Sequence, residues 1–75
     1  MKKAKAVKKL GYAREDLEFW REKYVQVKRS NNSIMDIKWH MSLDGKTIRE
    51  CELEEAIREM NEAKERIAKY ERIAK

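Results

Sequence analysis

Two apolar stripes, each stepping by alternate threes and fours, confine this chain to paired helices. In the first, Ala6, Leu10, Ala13, Leu17, Trp20, Tyr24 and Val27 follow one another at steps of 4, 3, 4, 3, 4 and 3. In the second, Leu53, Ala56, Met60, Ala63, Ile67, Tyr70 and Ala74 step by 3, 4, 3, 4, 3 and 4, and Ile57 broadens the stripe. With 3.6 residues to a turn, such spacing holds each set on one helix face. Proline is absent, and of the two glycines only Gly11 falls within a stripe. A glycine costs a helix interior about 1 kcal/mol relative to alanine. The stripe runs in phase through it, so one helix over 4–30 is preferred to a short helix capped at Gly11.

The second helix, 48–75, has acids towards its start and bases towards its end, which suits the helix dipole. Glu54/Arg58, Glu62/Arg66, Glu65/Lys69 and Glu71/Lys75 have the spacing and order of i,i+4 ion pairs. Between the helices, Ser30-Asn31-Asn32-Ser33 reads as a helix stop. Met35, Ile37, Trp39 and Met41 then alternate with Asp36, Lys38, His40 and Ser42, the pattern of a half-buried strand. Asp44-Gly45 supplies a turn. Residues 47–51 fit either a second strand or a Thr47/Glu50 capping box that opens the helix. The capping box is preferred, because no other Ser, Thr, Asp or Asn stands ready to cap that helix.

The fold expected is mostly α: an antiparallel two-helix hairpin forming a single domain over 1–75, with a strand/turn connector at 31–47. A chain of this size buries only about 60% of its unfolded surface, and two helices cannot enclose both stripes. Pairing two hairpins into a four-helix bundle would enclose them, so a homodimer is expected. Its seam would be Leu10, Leu17, Trp20, Tyr24, Met60, Ile67 and Tyr70.

Chemistry finds little support. Cys51 is the only cysteine, so no internal disulfide or zinc-finger spacing is available, and flanking Glu50 and Glu52 disfavour its thiolate. His40 is the only histidine, with Asp36 as the carboxylate on the same strand face, and the bland reading is a solvent-facing side chain. Neither glycine belongs to a phosphate-cradling loop. No enzymatic activity, metal or cofactor is expected. No apolar stretch approaches the roughly 20 residues of a membrane span, and the chain reads as cytoplasmic with no membrane partner.

Two surfaces remain. Tyr12 and Phe19 lie seven residues apart, away from the seam. The simpler expectation is that the connector folds over them, with Trp39 or Ile37 covering Phe19. The alternative is a partner-protein surface made of Tyr12, Phe19, Trp39 and Ile37, since aromatic residues anchor interfaces. The second surface is basic. The formal charge of +5 resides wholly in residues 1–11, as Lys2, Lys3, Lys5, Lys8 and Lys9 without an acid. A hairpin would set these beside residues 64–75, where five bases including Lys69 and Lys75 face two acids. The function expected is a small protein-interaction module, adaptor or inhibitor, that self-associates. The alternative is nucleic-acid binding through phosphates at the basic end.

Overall fold

The computed structural model describes residues 2–75. Helix α1 spans Lys3–Arg29 and helix α2 spans Ile48–Ala74, with a single 3₁₀ turn at Ser33–Asp36 between them. The two stripes meet. Ala6, Leu10, Ala13 and Val27 of α1 and Ala56 and Ala63 of α2 are buried, and the other stripe residues are half-buried except Ile57, which is exposed. The helices run antiparallel, with cross-helix ion pairs of Arg14 with Glu71 at 4.0 Å and Asp16 with Arg66 at 3.5 Å. The centre of the hairpin is small-residue packing: Ala6, Ala56 and Ala63 have no accessible surface, and no larger side chain is fully enclosed. The molecule measures 47 × 24 × 12 Å. Its thickness is that of one helix with its side chains, about 10–12 Å.

Helix α1 passes through Gly11 without interruption, and a methyl group added there would meet nothing within 4 Å. Gly11→Ala is therefore expected to stabilise the protein by about 1 kcal/mol. A thermal melt followed by circular dichroism should show Tm rising by about 4–8 °C. A lower Tm would mean that α1 does not run unbroken through this residue.

At α2's start, Thr47 does two jobs. Its Oγ1 accepts the Glu50 N–H at 3.1 Å and donates to Glu50 Oε1 at 3.3 Å, capping the helix. Thr47 also forms the one isolated antiparallel bridge among the described residues, with Lys38. The Thr47 half of the capping box thus forms, with Glu50 accepting from the Thr47 hydroxyl in place of its backbone N–H, and of the alternative hairpin only this single bridge exists among the described residues.

The half-buried strand does not form. Only Met35 of its four apolar positions is half-buried; Ile37, Trp39 and Met41 are exposed. A strand needs a neighbour along its length, and the capped helix has already taken the residues after Thr47. Upstream, Asn32 Oδ1 accepts the Ile34 N–H at 3.1 Å and winds the segment into the 3₁₀ turn instead. The four i,i+4 pairs on α2 are also absent as ion pairs among the described residues. Glu54 binds Lys46 at 2.6 Å, while Arg66 and Glu71 reach across to α1. Partners on neighbouring elements win over those one turn away on the same helix.

Candidate interaction surfaces

At the closed end of the hairpin, Arg49 ties three elements together. Its guanidinium donates to the carbonyls of Val27, of Lys28 at 3.5 Å and of Ser30 at 2.7 Å. Its Nε meets Asp36 Oδ1 at 3.1 Å. The last carbonyls of a helix lack partners within it and carry its negative pole, so a cation suits them. In α2 the same cation stands in the first turn, against that helix's own dipole. Its location is therefore explained by α1 and not by α2.

Past this clasp the connector is held on both sides of its tip. Trp39 donates to the Lys46 carbonyl at 2.8 Å, and Ile48 donates to that of Ile37 at 3.0 Å. Gly45 adopts φ 71°, a left-handed conformation that glycine takes without penalty. The Ser42 hydroxyl donates to Asp44 at 2.7 Å and accepts the Lys46 N–H at 3.1 Å. The Ser42 hydrogen bond leads in holding the Asp44 carboxyl below its ordinary pKa. Its hydrogen bond to Glu54, more than the nearby Asp44 charge, raises Lys46. Asp44's support for the turn is therefore present above its unfolded pKa and lost as pH falls through its lower folded one.

The held connector displays apolar side chains outward. Ile34, Ile37, Trp39, Met41 and Leu43 are all exposed, Met41 by 69% and Leu43 completely. Trp39 lies in a shallow hollow with Ile48, Cys51, Glu52 and Glu55, on the first turns of α2. This placement accounts for Ile48 and Cys51, which fall outside α2's apolar stripe. His40 packs against Trp39 with ring centroids 4.6 Å apart and the rings tilted by 54°, while Asp36 turns to Arg49, so His40 and Asp36 do not form a pair. No group of three or more His, Cys, Asp or Glu placed to hold a metal ion occurs among the described residues. No helix there is long and apolar enough to cross a membrane.

The connector does not cover the aromatic face of α1. Tyr12 and Phe19 remain 56% and 57% exposed, and Phe19 packs edge-on against Trp20 at 5.2 Å. Trp39 and Ile37 are committed to the closed end by their pairing with Lys46 and Ile48. Of the residues expected to form a dimer seam, Leu10 is buried within the hairpin itself. Leu17, Trp20, Tyr24, Met60, Ile67 and Tyr70 are half-buried there.

At the opposite, open end the basic segments come together. Lys9 and Lys69 both place Nζ near the Tyr70 ring, at 5.9 and 5.8 Å from its centroid. Lys2, Lys3, Lys5, Lys8 and Lys75 are exposed around them.

Arg49 is the residue that sequence reasoning passed over. The available signal was a lone cation in the first turn of a helix, where the dipole disfavours it. No protein-family model, curated protein or solved structure matches the chain.

Proposed function

We propose that this protein is a non-enzymatic interaction module, an adaptor or inhibitor that binds a partner protein through its closed end. The observation that supports this reading is the clasped connector. It keeps Ile34, Ile37, Trp39 and Met41 exposed on a hydrogen-bonded loop. Apolar side chains held in place lose little conformational entropy on binding, which favours affinity. In this reading the hairpins also pair into a four-helix bundle, the half-buried stripe residues gaining cover from a second copy.

The second reading is phosphate contact by nucleic acid at the open end. It is favoured by the convergence of Lys9 and Lys69 on Tyr70, which joins the two basic segments into one patch.

Pull-down from lysate with and without nuclease, using the parent protein, Trp39→Ala and a deletion of residues 2–9, separates the two. The protein-binding reading expects capture to survive nuclease and the deletion. It also expects Trp39→Ala to weaken binding about thirty-fold, the effect of an interface anchor worth about 2 kcal/mol. Capture that is lost with nuclease, abolished by the deletion and steeply weakened by salt would favour nucleic acid instead. Capture insensitive to Trp39→Ala would sink the closed-end proposal.

A further inference from the structure

The hairpin is a single layer of helices, whereas stable domains bury their apolar faces between two. Its accessible surface is 5930 Å². A compact monomer of the same mass would expose about 4,900 Å². The radius of gyration is 16.0 Å, against about 11 Å for a compact chain of this length. The excess of about 1,000 Å² compares with the roughly 800 Å² that each partner buries in an ordinary stable interface.

Resting on the self-association in the reading above, we infer that a second copy covers the Tyr12/Phe19 face. The two hairpins run in opposite directions, so their connectors lie at opposite ends. Tyr12, Asp16, Phe19 and Lys23 follow at steps of four, three and four and share one face of α1. The Asp16–Arg66 pair brings Arg66 to the same side of the hairpin. Glu52, Glu55, Glu59 and Lys69 fall on Arg66's stripe by helical spacing.

Charge selects the direction. The open end combines five bases without an acid in residues 1–11 and five bases against two acids in residues 64–75. Residues 12–63 hold nine bases and twelve acids. Stacking with open ends together would place two strongly positive clusters side by side. Opposed stacking separates them by a large part of the 47 Å length, far beyond the Debye length of about 8 Å at physiological salt.

A two-fold axis through the helix midpoints, near residues 16 and 61, sets Tyr12 over Phe19 of the second copy. The same axis sets Arg66 over Glu55 and Lys69 over Glu52 of that copy. Neither glutamate has an ion-pair partner within its own chain among the described residues.

Sedimentation equilibrium and spin-label distances on the full chain test this. A dimer is expected at tens of micromolar. Phe19→Ala should raise its dissociation constant at least tenfold with helicity retained, whereas Val25→Ala on another face should change it little. Glu52→Lys or Lys69→Glu alone should weaken the dimer, and the two together should restore it. Within one chain these residues are about 25 Å apart along α2, so such rescue must come from a second copy. A nitroxide on Asn31→Cys in a Cys51→Ser background should report a separation of about 40 Å. A separation under about 20 Å would mean parallel stacking and overturn the orientation alone. A monomer at every concentration would overturn self-association altogether. Glu52 and Glu55 also line the Trp39 hollow, and the closed-end test stays distinguishable because it reads capture of a different protein.

Discussion

Arg49→Ala is expected to cost the hairpin about 2–4 kcal/mol, because each hydrogen bond from a charged donor contributes about 1.5–3 kcal/mol. The Arg49 side chain is only 18% exposed, and its guanidinium serves the carbonyls of Val27, Lys28 and Ser30 together with Asp36. Truncation removes all of these at once. It leaves the end of α1, the 3₁₀ turn and the start of α2 without their common partner. For a chain of this size Tm should fall by roughly 10–25 °C in a circular dichroism melt. Arg49→Lys keeps the charge but not the planar fork, and should recover less than half of the loss. Asp36→Asn should matter far less, under about 1 kcal/mol, because the Asp36 side chain is 65% exposed. A parent-like Tm for Arg49→Ala would show that the clasp does not support the fold.

Ala63→Leu is the second large effect. Ala63 has no accessible surface, and its methyl group stands between the helices. Three added carbons must push α1 and α2 apart or force strained rotamers, at a cost of about 1–3 kcal/mol. Spread apart, the helices would lose contact at Ala13 and Ala56 as well, so the upper part of that range is expected. The urea midpoint, compared at equal protein concentration, should drop accordingly. Ala68→Leu on the exposed side of α2 adds the same atoms where there is room, and should leave the midpoint almost unchanged. Equal midpoints for the two variants would contradict close packing along the alanine stripe.

The helices were legible because their information is local. A three-four step recurs along each stripe, and Thr47 with Glu50 marks where α2 begins. The connector was harder to read. The alternation from Met35 to Ser42 has strand periodicity, but periodicity does not supply a neighbouring strand, and the Thr47 cap withdrew the only candidate. Glu54, Arg66 and Glu71 show the same competition: each has a partner one turn away in sequence and uses a different one in space. Arg49 is the least legible. Three of its four partners are backbone carbonyls, which every residue carries, so nothing in the sequence distinguishes those it will bind. The aromatic pair Tyr12 and Phe19 was visible as a feature, but its exposure depended on where the connector goes.

The clasp also gives the chain an order in which to assemble. Arg49 and Val27 are separated by 22 residues, whereas Arg14 and Glu71 at the far end span well over twice that. Closing the longer loop first costs about 0.8 kcal/mol more in chain entropy. Contacts near the connector are thus the cheaper nucleus, and the helices zip from there towards their free ends. Unfolding runs the other way. Amide exchange should be slowest beside Val27 and fastest near Lys3 and Ala74, so that the lysine-rich end opens many times for each loss of the connector.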